Sequence, residues 1–280
     1  MKSFIALAVL LGIASLAIAQ VDIPRVSPKA SVSQVIGVTE VKITYSRPGV
    51  KNRTIWGGLV PYDKVWRTGA NEATTFTTST DVKVEGQPLT AGTYALFTIP
   101  GKTEWTIIFN KTADQFGAFE YKQDQDVLRV KVKPDTASPQ EWMGFAFQNL
   151  SLDSADVVLR WEKLQVKFGI QVDTANKVFA SCRSAMAGLK ADDSRTPYRC
   201  ANFALDNKGD EKEAMAWLEK SLSIKEDFFN LELKANTLAK AGKKAEALEA
   251  AKKALTLTKD VPEEDVAGLK KKVEEWSASK

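Results

Sequence analysis

The 280-residue chain contains no histidine. That absence removes Ser-His-Asp and Cys-His catalysis and the commonest protein ligand of zinc and iron. Any chemistry would rest on Asp, Glu, Tyr, Lys or Arg, and the sequence carries no evident metal or cofactor site. Cysteine is almost as scarce, with Cys182 and Cys200 the whole complement. Charge of one sign is also missing: 39 Lys and Arg against 35 Asp and Glu give a formal charge of +4. The bases are interleaved with acids along the chain, which argues against a nucleic-acid footprint. After the N-terminus no apolar stretch is long enough to cross a bilayer. No GxxxxGK[ST] or GxGxxG accompanies Gly57-Gly58, and Asp124-Gln125-Asp126 lacks the spacing of a calcium loop.

What is present begins with a targeting signal. Lys2 supplies a positive start, Phe4 to Leu16 is apolar but short, and Ala17-Ile18-Ala19 fits a small-residue cleavage pattern. Residues 1–19 are therefore expected to be a signal peptide cut between Ala19 and Gln20. The mature chain is expected in the periplasm or outside the cell. No Cys lies near the cut, so the signal is not of the lipoprotein kind.

From residue 24 to 172 the pattern is β. Ser31–Ile36 and Glu40–Tyr45 alternate in character about Gly37. Thr93–Ile99 and Glu104–Asn110 read as a hairpin across Pro100-Gly101. Ala73–Ser79, Asp81–Val84, Asp126–Val132, Glu141–Leu150, Asp156–Trp161 and Leu164–Val172 complete about nine or ten strands without clear helices between them. That pattern predicts an antiparallel β-sandwich or barrel.

From residue 173 to 280 the apolar period becomes helical. Thr174–Lys190 opens the region. Thr196-Pro197 reads as an N-cap followed by Pro, and Asp210 with Glu213 as a capping box. Residues 209–222 align with 242–255: Gly209/Gly242, Glu213/Glu246, Ala214/Ala247, Lys220/Lys253 and Leu222/Leu255 are identical. This resembles tetratricopeptide repeats. The predicted whole is an α+β multidomain chain, a β-sandwich followed by a helical hairpin stack. Cys182 and Cys200 fall on consecutive helices, and an even count in an exported chain favours a disulfide between them.

Between two strands, residues 47–74 concentrate two Trp, three Arg, two Pro, four Gly, a Tyr and a Glu. Such a segment cannot continue a helix or a central strand. It is expected to be an ordered, partly buried insertion. Arg47, Arg53, Tyr62, Trp66, Arg67, Asn71 and Glu72 are its candidate ligand-binding residues. Arg forks suit carboxylates or phosphates, and Trp could offer a stacking platform for a sugar. The competing and favoured expectation is a buried network, with Arg67 paired to Glu72, Asn71 satisfying turn backbone and the Trp rings filling core.

The β region resembles the exported bacterial domain of unknown function DUF2911. The matching pieces are Tyr45-Ser46-Arg47-Pro48, Arg53 to Tyr62, Val65 to Thr74, Leu89-Thr90-Ala91-Gly92-Thr93-Tyr94 and Ile99-Pro100-Gly101. The resemblance implies a Bacteroidetes-like bacterium, a signal peptide and, in some members, trailing helical repeats. It implies no activity.

Two functions follow. One is an exported, non-catalytic binding or scaffold protein of the envelope. Its β domain would hold a glycan or small ligand, and its helical repeats a protein or peptide. The other is a His-independent hydrolase or lyase on envelope glycans, acting through Glu72, Asp63 or Tyr62. The first is favoured because no acid/base pair stands out. Asp135-Thr136-Ala137, Asp153-Ser154-Ala155 and Asp173-Thr174-Ala175 also look like O-glycosylation acceptors at Thr136, Ser154 and Thr174.

Overall fold

The computed structural model describes residues 23–278. The expected signal peptide lies outside them. An antiparallel β region of two sheets is followed by six helices. The six-stranded sheet has the order β1-β2-β3-β6-β7-β8, and the four-stranded sheet the order β5-β4-β10-β9.

β1 (Lys29–Ile36) and β2 (Thr39–Ser46) form a hairpin in which Ile36 opposes Thr39. Alternating apolar positions bury Val41, Ile43 and Tyr45 on one face. The turn glycine, Gly37, sits at φ +57, and a Cβ there would collide with the Thr174 side chain. The hairpin tip thus presses on the start of the first helix. β3 (Thr75–Thr78) pairs with β2 and with β6 (Gly92–Ile99), and β6 pairs with β7 (Trp105–Asn110) as the sequence predicts. β8 (Asp126–Val132) closes that sheet.

The second sheet holds β4 (Val82–Val84), β5 (Gln87–Leu89), β9 (Pro134–Gln148) and β10 (Ser154–Gln171). The sequence divides β10 into two strands, but the structure makes it one of 18 residues. The polar Glu162-Lys163 interruption is absorbed by register shifts on either side of Glu162, which takes φ +56. Side chains of both sheets, among them Phe76, Phe109, Val157, Trp161 and Phe168, share one buried cluster.

Residues 47–74 contribute no strand of their own. Isolated bridges tie them instead to both sheets: Gly49 to Trp142 of β9, and Trp66 to Thr98 of β6. Ile55, Val60 and Trp66 enter the shared core. The expectation of an ordered, partly buried insertion is met.

The helices are α1 (Thr174–Ala187), α2 (Arg195–Asp206), α3 (Glu211–Ile224), α4 (Phe228–Lys240), α5 (Lys244–Ala254) and α6 (Glu263–Ala278). The predicted Thr196 cap is corrected. α2 begins at Arg195, and the Asp193 carboxylate accepts from the Thr196 backbone and hydroxyl. Asp210 caps Glu213 N–H, but the Glu213 side chain turns to Arg183 and leaves that capping box half made. A complete box forms at Asp227 and Asn230.

The repeated turns also differ by one residue. In the first the left-handed residue is Lys208, and Gly209 N–H bonds back to Ala204. In the second Gly242 is left-handed, and Lys243 N–H bonds back to Leu238. Cys182 of α1 and Cys200 of α2 are joined by a disulfide, with Cα atoms 5.7 Å apart. No helix among the described residues is long and apolar enough to cross a membrane.

Candidate functional site

The 47–74 segment is stapled down by its own backbone. Trp66 exchanges two hydrogen bonds with Thr98 of β6, at 2.8 and 2.9 Å. Thr74 donates its N–H to Arg67 O and its hydroxyl to Thr68 O. Trp66 Nε1 donates to Gly69 O at 3.1 Å. The loop from Trp66 to Thr74 therefore closes on itself and on the sheet.

Backbone strain gathers in this segment. Lys51, Asn52, Asp63, Thr68 and Asn71 all have φ between +49 and +59. At Val50-Lys51-Asn52-Arg53, two consecutive positive φ values and the Arg53 N–H to Val50 O bond mark a type I′ turn. Asn or Gly is usual where Lys51 sits. Thr68 is β-branched and fully buried at φ +56, an outlier that costs on the order of 1–3 kcal/mol.

Between this segment, β10 and the incoming chain at Val26-Ser27 lies a cleft of about 450 Å³. Its cations are Lys51, Arg53 and Arg67; Asn71 adds an amide, and among the described residues no acidic side chain lines it. Pro48, Leu59, Val60, Ala70 and the edges of Trp66 and Trp161 make its apolar wall.

The predicted residues divide between cleft and framework. Arg53, Trp66, Arg67 and Asn71 line the cleft; Arg47, Tyr62 and Glu72 do not. Arg47 reaches away to β9, its Nε donating to Met143 O at 2.8 Å. Tyr62 packs its ring beside Gly57, where a Cβ would lie 2.9 Å from it. Arg53 spends Nε on Val50 O and one terminal nitrogen on Gly49 O, which anchors it across its own turn. Asn71 donates to Ser27 O at 3.1 Å and ties the incoming chain to the cleft rim.

Two expectations are corrected. The first is the pairing of Arg67 with Glu72. Glu72 is held instead by Arg25, in a pair exposed at 54% and 42%. The hydrogen bond from Arg25 is the main reason the Glu72 carboxyl is held below its ordinary value. Arg67 is half-buried, its Nε is shut off from solvent without a partner, and no ion pair reaches it among the described residues. Desolvation pulls its pKa below the usual arginine value.

The second correction concerns the stacking platform. Trp66 is 8% and Trp161 1% exposed, so neither offers a free face. They stack on each other at 6.0 Å; Trp56 meets both edge-on, and Trp105 meets Trp66 and Trp56 edge-on, to complete a four-indole cluster. The rings fill core, as the competing expectation had it. Sequence reasoning missed Lys51 and Trp161 as cleft residues. Lys51 was legible in the turn chemistry around Asn52, whereas Trp161 comes from a strand more than ninety residues away and left no local signal.

Among the described residues no cluster of three or more Cys, Asp or Glu is placed to hold a metal. The acid nearest the Lys51 turn is Glu141, whose carboxylate accepts from the Lys51 backbone N–H at 2.9 Å and forms no ion pair with the three cations. Chemically the cleft is a rigid cationic cavity with apolar sides.

A family model described as "Protein of unknown function (DUF2911)" matches residues 27–170, which span the β region to the last residue but one of β10 and every cleft-lining residue except Val26. No curated protein and no solved structure matches the chain.

Proposed function

This chain belongs to the DUF2911 family, and we propose that it is an exported, non-catalytic binding protein of the bacterial envelope. Its two sheets, with one core between them, act as a β-sandwich that holds a small polar ligand in the cleft beside Arg67. Its helices act as a tetratricopeptide-like stack that engages a protein or peptide partner. The observation that carries this reading is the cleft itself. It is preformed, its volume falls within the range of small-molecule sites, and its wall is pinned by the Trp66–Thr98 and Thr74–Thr68 hydrogen bonds. The Cys182–Cys200 disulfide suits an oxidising compartment outside the cytosol. The carboxylates that a glycan hydrolase would use, Glu72 and Asp63, stand outside the cleft.

The test uses the mature chain and a panel of N-acetylglucosamine, glucose, their phosphates and their uronates, read by calorimetry and by reducing-end release from envelope glycan. Saturable binding without turnover, lost in Ala70→Trp, is expected. Ala70 lines the cleft and is half-buried, so an indole there fills the cavity. Release of reducing ends that Glu72→Gln abolishes would overturn the reading in favour of hydrolysis.

A further inference from the structure

We infer that the cleft is an anion site: it takes a small molecule through a carboxylate or phosphoryl group that pairs with Arg67, and Lys51 and Arg53 supply the surrounding positive field. This inference rests on the binding reading above and names the chemistry of the ligand.

Four observations converge. First, the lining among the described residues carries three cations and no acid, although acids and bases are nearly balanced over the chain. A random patch of this surface would mix the two signs. Second, among the described residues the side chains of Lys51 and Arg67 make no hydrogen bond, and of these two only Arg67 is half-buried. Arg53 is committed to Val50 O and Gly49 O, and Lys51 is exposed to solvent. Arg67 is half-buried; its Nε is enclosed and out of a ligand's reach, and its two terminal nitrogens, which make no hydrogen bond among the described residues, are the donors left for one. A guanidinium presents its donors as a planar fork that fits a carboxylate or phosphate edge-on. An unpaired fork beside a cavity is complementary to such a group, and the cavity is where the group would sit.

Third, the acids that could have neutralised Arg67 are held elsewhere. Glu72 is taken by Arg25; Glu141 keeps its charge behind Gly49 and Lys51, accepting from the Lys51 backbone, and forms no ion pair with Arg67. The fold therefore leaves the charge open to a ligand. Fourth, strain is concentrated on the residues that aim these cations. Thr68 follows Arg67 directly in a left-handed conformation, and Lys51 occupies a turn position where Asn or Gly is usual. Strain of this type persists where surrounding structure over-determines it, and it clusters at ligand clamps. Here the surrounding structure is the Thr68–Thr98 hydroxyl contact and the Thr74–Thr68 bond.

The apolar wall of Pro48, Leu59, Val60 and Ala70, with the Asn71 amide at the rim, accommodates an uncharged body behind the anion. A sugar acid or a sugar phosphate has this build. Both sources share the oxyanion, and the experiment separates them.

The mature chain is titrated with inorganic phosphate, acetate, glucose 6-phosphate, glucuronate and glucose, with ionic strength held constant by chloride. Melting temperature and heat of binding are recorded. Phosphate or acetate should raise the melting temperature in a saturable way, and the charged sugar should bind at least tenfold tighter than glucose. Preference for glucose 6-phosphate assigns a phosphoryl group, and preference for glucuronate a carboxylate. Arg67→Gln should weaken the charged ligand at least tenfold, Arg67→Lys should recover part of it, and Glu219→Gln in α3 should change nothing. Binding should fall as salt rises. If glucose binds as tightly as its charged relatives and Arg67→Gln is indifferent, the anion inference falls while the binding reading stands. If no anion shifts the wild-type melt, the anion inference is overturned. If glucose fails here and N-acetylglucosamine fails in the panel above, the binding reading goes with it.

Discussion

The Glu72 carboxylate accepts from Arg25, 47 residues earlier in the chain, and not from Arg67, five residues before it. Asn71 works in the same direction, because its side chain donates to Ser27 O and draws the incoming chain against the loop. The left-handed backbone at Thr68 and Asn71 sends Arg67 and Glu72 to different places. Arg67 faces the cleft, and Glu72 faces a smaller cavity beside Lys29 and Gln115. One short loop thus supplies an open cation and closes its own acid into a surface latch.

Arg67→Met should not destabilise the ligand-free protein. Truncating half of a buried pair costs about 3–5 kcal/mol because a charge is stranded. Here the stranded charge already exists, and removing it should leave stability unchanged or raise it by on the order of 1 kcal/mol. Urea denaturation of the two proteins measures this. A loss above roughly 2 kcal/mol would show that Arg67 holds the fold together.

Glu72→Gln should cost less than about 1 kcal/mol, as expected of a solvent-exposed pair. The sign with pH follows from its lowered carboxyl. The contribution is complete above the ordinary Glu value near 4.3, and it is lost as pH falls through the lower folded-state value. Wild type and Glu72→Gln should therefore differ slightly at neutral pH and converge in acid. Paired melts across that range test it, and a gap that widens in acid contradicts it.

Reduction of the Cys182–Cys200 bond, or Cys182→Ser with Cys200→Ser, should destabilise the α1–α2 pair by roughly 3 kcal/mol, the closure term for a loop of this size. The sequence separation is 18 residues. The β region has its own core cluster, separate from that around the two cysteines. In a Trp217→Phe, Trp276→Phe background, where only β-region indoles report, the fluorescence transition should move little while the helical circular-dichroism transition falls.

Tyr121 should ionise late. Burial, followed by its hydrogen bond to Asp126, pushes the phenol up to about 12. Its stabilising effect is present below the ordinary tyrosine value near 10 and is lost as pH rises through the folded value. Wild type should lose more stability than Tyr121→Phe between those two values. An ultraviolet titration should show one phenol that ionises only near pH 12. A normal titration of that phenol would contradict the Tyr121–Asp126–Arg129 arrangement.

Of the proposed glycosylation acceptors, Thr174 is ruled out by its surroundings. It is 2% exposed, and its hydroxyl donates to Leu152 O. Thr136 on β9 is exposed and Ser154 half-buried. Mass spectrometry of native protein should find any added sugar at Thr136 in preference to Ser154, and never at Thr174.

The sequence by itself determined what depends on neighbours along the chain. Period-two alternation placed β1, β2 and β8, the Pro100-Gly101 turn placed the β6–β7 hairpin, and helical period with the repeat placed α1, α2, α3 and α5, because side-chain direction repeats with backbone geometry. Gly and Pro density marked residues 47–74 as irregular, and cysteine count with helix order was enough to pair Cys182 with Cys200. Tertiary structure alone decided where side chains go once the backbone leaves regular dihedrals. Local spacing proposed Arg67 with Glu72, yet positive φ at Thr68 and Asn71 and the return of Arg25 from a distant segment overrode it. Trp66 looked like a platform until Trp56 from its own segment and Trp105 and Trp161 from two distant strands covered it. A cleft is made by what fails to fill the space between segments, and that is a property of packing rather than of any stretch of residues.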